Sequence, residues 1–95
     1  MSGMTFEGGN YKNITGTGAV TAQPGTLLGF YVNSTTGGTL ALKDGGTAGT
    51  AMGGTITPAI GFHRYPATFG NGGLYATIAN TLDVTFFYVA SPIAA

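Results

Sequence analysis

No ten-residue stretch of this chain combines a helical apolar period with freedom from glycine, proline and β-branched residues. Helix needs a run of good formers with apolar residues three and four apart. Here 18 glycines and four prolines punctuate a threonine-rich sequence of 95 residues. What survives between the breaks is short, alternating and rich in Val, Ile, Thr, Tyr and Phe, which is the composition of strands. The length fits one domain.

The strand signals can be read in order. Residues 1–10 read as an extended N-terminal arm, closed by the turn signal Gly8-Gly9-Asn10. The domain proper is then residues 11–95. Tyr11–Ile14 and Ala19–Ala22 are the first two short strands, separated by Gly16-Thr17-Gly18. Gln23-Pro24-Gly25-Thr26 carries Pro and Gly at the positions a type II turn prefers. Thr26–Asn33 follows, with Leu28, Phe30 and Val32 on one face and Leu27, Gly29 and Tyr31 on the other. Ser34–Gly38 reads as a turn. Thr39–Lys43 places Leu40 and Leu42 on one face, and Asp44-Gly45-Gly46 is a hairpin signal.

Beyond it, residues 45–54 read as a loop or a ragged edge strand. Thr55–Ile60 alternates with Ile56, Pro58 and Ile60 on one side, and Pro58, lacking an N–H, marks it as an edge or bulged strand. Phe62–Phe69 is interrupted at Pro66. Gly70-Asn71-Gly72-Gly73 turns the chain into a last hairpin, Leu74–Ile78 and Leu82–Val89, joined at Asn80-Thr81. In its second arm Leu82, Val84, Phe86 and Tyr88 share one face, and Phe87 and Val89 the other. These are about seven or eight short strands with turn signals at sandwich or barrel spacing. The expected fold is all-β, a small antiparallel β-sandwich or jelly-roll-like barrel with an extended N-terminal arm.

Charge limits the function classes. Three basic and three acidic residues give a net charge of zero, where an average domain is about one quarter charged. Such a surface has little repulsion to keep copies apart. Lys12, Lys43 and Arg64 are dispersed and form no nucleic-acid footprint. No run of about 18 apolar residues predicts a membrane span, and Met1–Thr5 does not read as the start of a secretory signal. With no cysteine, neither disulfides nor thiolate metal sites are available. A glycine-rich chain without staples is expected to draw stability from self-association.

Catalytic and ligand-binding patterns are sparse. His63 is the single histidine, and Glu7, Asp44 and Asp83 are all distant from it in sequence. An acid–base pair or metal site would need them close, so His63 reads as a strand-to-loop contact. Asp44-Gly45-Gly46-Thr47 lacks the further carboxylates of a calcium loop and the lysine of a phosphate loop, and reads as a turn. Asn13-Ile14-Thr15 and Asn33-Ser34-Thr35 match the glycosylation pattern, read as chance in a threonine-rich chain. Tyr11, Tyr31, Tyr65 and Tyr75 could form a sugar-stacking platform. The expected contact residues are Phe6, Tyr11, His63, Arg64, Tyr65, Phe87 and Val89. No cofactor, metal or catalytic residue is expected.

The run from Val20 to Ser34, then Leu40–Gly45, Ile60–Pro66 and Gly73–Ile78, resembles small virion proteins of tailed bacteriophages, over roughly residues 18–89. The order is a strand, an Asn-Ser turn, a strand ending Asp-Gly, a Thr/Ala/Gly loop, an aromatic-Pro strand, Gly-Leu-Tyr-Ala-Thr-Ile and a final strand. Such proteins are most often capsid decoration, or cement, proteins of β-sandwich type. The resemblance implies a homotrimer on the outer surface of a phage head, contacting the major capsid protein and stabilising contacts between capsomers. It implies a virion location after synthesis in the host cytoplasm. The alternative is a receptor- or glycan-binding module of a phage fibre or spike.

Overall fold

The computed structural model describes residues 10–70 and 72–90. They form six strands: β1 (Asn10–Ile14), β2 (Gly18–Thr21), β3 (Gly25–Asp44), β4 (Thr50–Ala51), β5 (Gly61–Phe69) and β6 (Leu74–Ala90). There is no helix among the described residues. All pairings are antiparallel within one sheet. Its spine is the pairing of β3 with β6 from Gly25↔Ala90 to Asp44↔Leu74. β1 and β2 flank β6, whereas β5 and β4 flank β3.

The spine folds over at its middle. β3 is 20 residues long, and a straight strand of that length would span roughly 60 Å. The longest dimension of the molecule is 43 Å. Phe69 pairs with Gly25 at one end of β3, yet the next amide, Gly70 N, donates to Asp44 Oδ1 at the other end, 3.0 Å away. Gly45 N donates to Gly73 O at 3.0 Å and extends the β3–β6 ladder one step past Asp44↔Leu74. The result is a two-layer β-sandwich made by doubling one sheet. One layer holds β1, the second half of β6, the first half of β3 and β5. The other holds β2, the first half of β6, the second half of β3 and β4.

The fold line corrects two expectations. Ser34–Gly38 and Asn80-Thr81 were expected to end strands, but both lie inside strands and pair with each other, Thr36 and Gly37 both opposite Thr81. Leu74–Ile78 and Leu82–Val89 are therefore one strand and not a hairpin. Counting β3 and β6 once per layer recovers the expected number of short strands.

Bulges keep the faces in phase across the bend. From Val32 to Leu40 β3 advances eight residues, while its partners run from Val84 to Ile78, six residues. An even excess returns Leu40 and Leu42 to the core face, and the extra residues let β3 take the longer path round the bend. A further shift between Leu27 and Gly29 inserts the single residue Leu28. This overturns the expected grouping of Leu28 with Phe30 and Val32: Leu27 points inward with them and Leu28 points out.

Twelve buried apolar residues form the core, drawn from β2, β3, β5 and β6. Phe30, Phe69 and Phe86 are the largest of the fully buried side chains, and the rings of Phe30 and Phe86 lie 5.7 Å apart. No polar or charged side chain is buried among the described residues, so the interior is held by apolar burial alone.

Two further elements differ from expectation. Thr55–Ile60 forms no strand and makes one bridge, Ile56 with Leu40. Pro58 is buried while Ile56 and Ile60 are exposed, which breaks the expected single face. Conversely, β5 runs through Pro66. It is an edge strand paired only with β3, where a missing N–H is tolerated. The ladder there skips from Ala67 opposite Leu27 to Arg64 opposite Gly29. The expected arm, apart from Asn10, lies outside the described residues, and Asn10 itself already belongs to β1.

Candidate contact face

Strand alternation sends every second residue of the first layer outward. On β1, β6, β3 and β5 these include Tyr11, Phe87, Tyr31 and Phe62, and the bulge adds Leu28. Together with Asn10 they line an open groove of about 560 Å³. Tyr11 is 74% exposed, Phe62 57% and Leu28 43%. No charged residue lines the groove. Val89 is also exposed and lies two residues beyond Phe87 on the same side of β6.

Gly29 makes the groove floor possible. It pairs with Phe87 on one side and Arg64 on the other. A Cβ built on it would lie 2.7 Å from the ring of Phe62. Without a side chain at this position, the Phe62 ring lies across β3 towards Phe87, with centroids 6.3 Å apart and planes tilted by 49°. A tilted pair at this separation is a favourable aromatic geometry.

Towards the bend the same face turns polar. Asn13 Nδ2 donates to Asp83 Oδ1 at 2.7 Å and to Thr85 Oγ1 at 3.1 Å. Asn33 Nδ2 donates to the same two atoms at 3.3 and 3.1 Å. These bonds tie β1, β6 and β3 together beside the groove. Both asparagines of the glycosylation-like triplets are thus engaged in this ladder. The face therefore has an apolar end and a hydrogen-bonded end on a regular strand platform.

The expected contact residues divide between the two sides of the layer. Tyr11, Phe87 and Val89 lie on the outer face, and Arg64 is exposed two residues along β5 from Phe62. His63 and Tyr65 alternate with them and turn inward. His63 stacks on Phe30 at 5.2 Å and 28°, and its Nε2 lies 2.7 Å from Ala59 O. That is a strand-to-loop contact. Tyr65 packs against the core, 6.1 Å from Phe30, with its hydroxyl donating to Met52 O at 3.5 Å. Tyr65 therefore does not share a surface with Phe87. Phe6 lies outside the described residues.

Leu28, Tyr31 and Phe62 were not singled out as contacts from sequence. The signal for Phe62 was its alternation with His63 and Tyr65. Leu28 carried none, because only the bulge turns it out. The potential sugar platform also disperses: Tyr11 and Tyr31 share the groove, whereas Tyr65 faces the core.

The ionisable groups are scattered. Asp44 accepts from Gly70 N, Asp83 from Asn13 and Asn33, and Lys43 Nζ donates to Thr47 O. No cluster of three or more potential metal ligands occurs among the described residues. Comparisons of the chain with protein-family models, curated proteins and solved structures found no match.

Proposed function

We propose that this protein is a structural virion component of the capsid-decoration type, self-associating as a homotrimer on the outer surface of a bacteriophage head and bracing neighbouring capsomers. The observation that carries the reading is the uncharged aromatic groove on a rigid sandwich whose net charge is zero. Exposed apolar patches of this kind mark protein contacts. A lattice-bound module needs a stiff body and a contact face, and many weak contacts made together are strengthened by avidity. The sequence resemblance to phage decoration proteins points the same way.

The test is addition of the purified protein to matching undecorated heads. Cosedimentation with the heads and a higher bursting temperature are expected. Heads that neither bind the protein nor gain heat resistance would remove this reading.

A second reading is a glycan-binding module of a fibre or spike. The presence of Tyr11 and Tyr31 in the groove favours it, since flat rings can stack on sugars. Few hydrogen-bonding groups accompany them, and sugar specificity depends on such groups. In that case particles lacking the protein would stay heat-resistant but adsorb poorly to cells.

A further inference from the structure

We infer that the open edge of β5 pairs with β5 of a second copy of this chain, antiparallel across a two-fold axis, so that the two first layers become one continuous sheet. The inference goes beyond the trimeric reading above. A two-fold contact is distinct from a three-fold one and would link one trimer to the next.

Among the described residues β1, β2, β4 and β5 stand at edges of the sheet, and the first three are guarded. β2 has four residues and β4 two, and very short edge strands template a partner poorly. β1 carries Lys12 opposite the buried Phe86. A cation on the inward side of an edge strand opposes pairing with another sheet. β5 lacks these guards. It is nine residues long, pairs with β3 alone, and exposes Phe62, Arg64, Pro66 and Thr68 in alternation. The neighbouring loop reaches it through side chains, Ala59 O at the His63 ring and Met52 O at the Tyr65 hydroxyl. No main-chain hydrogen bond joins that loop to β5 among the described residues. An edge of this length is a template for a further strand.

The second copy is the occupant because the edge is complementary to itself. Pro66 has no N–H to donate, so the unbroken stretch is Gly61–Tyr65. Pairing that stretch with its copy puts the axis at His63, an isologous contact. On the outer face each Phe62 then stands opposite Arg64 of the other copy, a ring beside a guanidinium, and the axis repeats the pair. On the inner face Gly61 stands opposite Tyr65. A Cβ at Gly61 would meet nothing within 4 Å, so there is room beside it, and an aromatic residue is a favourable neighbour for a glycine in a sheet. Just past the paired stretch, exposed Ile60 meets Pro66. Moving the axis to Arg64 would set two guanidinium groups against each other and draw Pro66 into the ladder, so charge and length select the same register. Zero net charge leaves little repulsion between the copies.

The experiment uses the full chain, which has no cysteine of its own, so introduced cysteines report the register. Phe62→Cys and Arg64→Cys proteins are mixed and mildly oxidised. Disulfide dimers joining position 62 to position 64 are expected, in excess over 62–62 and 64–64 dimers. An excess of the like dimers, or no dimer, would overturn the inference. Hydrogen exchange of the parent chain supplies an independent reading. Protection of the amides in 61–65 should rise with protein concentration. Protection that ignores concentration would mean that the edge meets water or another part of its own chain, and would also overturn it. In sedimentation, Phe62→Arg sets arginine opposite Arg64 and should weaken the two-fold step at least tenfold, and Phe62→Arg with Arg64→Phe should restore it. A double variant as weak as the single one counts against the pairing. None of these measurements involves phage heads, so failure of the decoration reading is distinguishable from failure of this contact.

Discussion

Asn80 Nδ2 donates to the Gly37 carbonyl at 2.9 Å, and both residues hold left-handed backbone, with φ of 61° and 62°. They face each other across the fold line of the sheet. Glycine adopts this conformation without a Cβ penalty, and asparagine is among the few other residues that enter it readily. Each long strand thus places its most permissive residue where the bend is sharpest. The hydrogen bond then ties the two strands at that point.

Asn80→Ala removes the bond and leaves an unfavourable residue in left-handed backbone. A loss of about 2 kcal/mol is expected, from roughly 1 kcal/mol for each effect. Asn80→Gly loses only the bond and gains backbone freedom in the unfolded chain, so it should fall between the parent and the alanine variant. Urea unfolding followed by circular dichroism measures both. Equal stability of all three proteins would show that this contact does not hold the bend.

Phe30 touches His63, Tyr65 and Phe86 in the core and is almost completely buried. Phe30→Ala should cost about 3–5 kcal/mol. In a domain of this size that is a large share of total stability. The expected result is an unfolded or barely folded protein at room temperature, read from the near-ultraviolet circular dichroism.

Tyr65 and Phe62 are near neighbours in sequence on opposite faces, so their substitutions should separate. Tyr65→Ala is expected to lower stability by about 2 kcal/mol through lost packing. Phe62→Ser should change stability by less than about 1 kcal/mol, because the ring is largely exposed. Comparing unfolding midpoints with association constants checks the assignment of faces. The assignment fails if Tyr65→Ala impairs association alone.

Gly29→Ala tests the groove floor directly. Its added Cβ would meet both the Phe62 ring at 2.7 Å and the His63 carbonyl at 2.5 Å. The ring can swing away, but the carbonyl belongs to the β3–β5 ladder. A destabilisation of about 1–3 kcal/mol is expected from the overpacking, together with displacement of Phe62 seen as altered aromatic proton shifts. An unperturbed Phe62 resonance would contradict the described packing.

Phe87→Asp places a charge in the groove between Tyr11 and Gly29, its partners on the adjoining strands. Self-association should drop by at least tenfold while the β-type circular dichroism persists. Analytical ultracentrifugation across a concentration series measures the change. An unaltered assembly would locate the subunit contact elsewhere.

Much of the architecture was written locally. The alternation of Leu40 with Leu42, of Leu74 with Ala76, and of Leu82, Val84 and Phe86 identifies the core side of both long strands, because side chains on a strand alternate strictly. Glycine and proline spacing excluded helix for the same local reason. The outward position of Phe87 and Val89 also follows from alternation alone.

Other features depended on partners distant in sequence. Ser34–Gly38 and Asn80-Thr81 carry turn chemistry, and nothing local states that each will be paired to the other and bent instead of reversed. The outward turn of Leu28 requires the β6 register, since a bulge exists only relative to a partner strand. The aromatic groove needs four strands side by side before Tyr11, Phe87, Tyr31 and Phe62 can meet. The sequence by itself determined which segments extend and which side chains seek the interior, because those follow from short-range sterics and hydrophobic alternation. The tertiary structure decided where the ribbon doubles over and which outward rings meet in one groove, because those follow from pairing across dozens of residues.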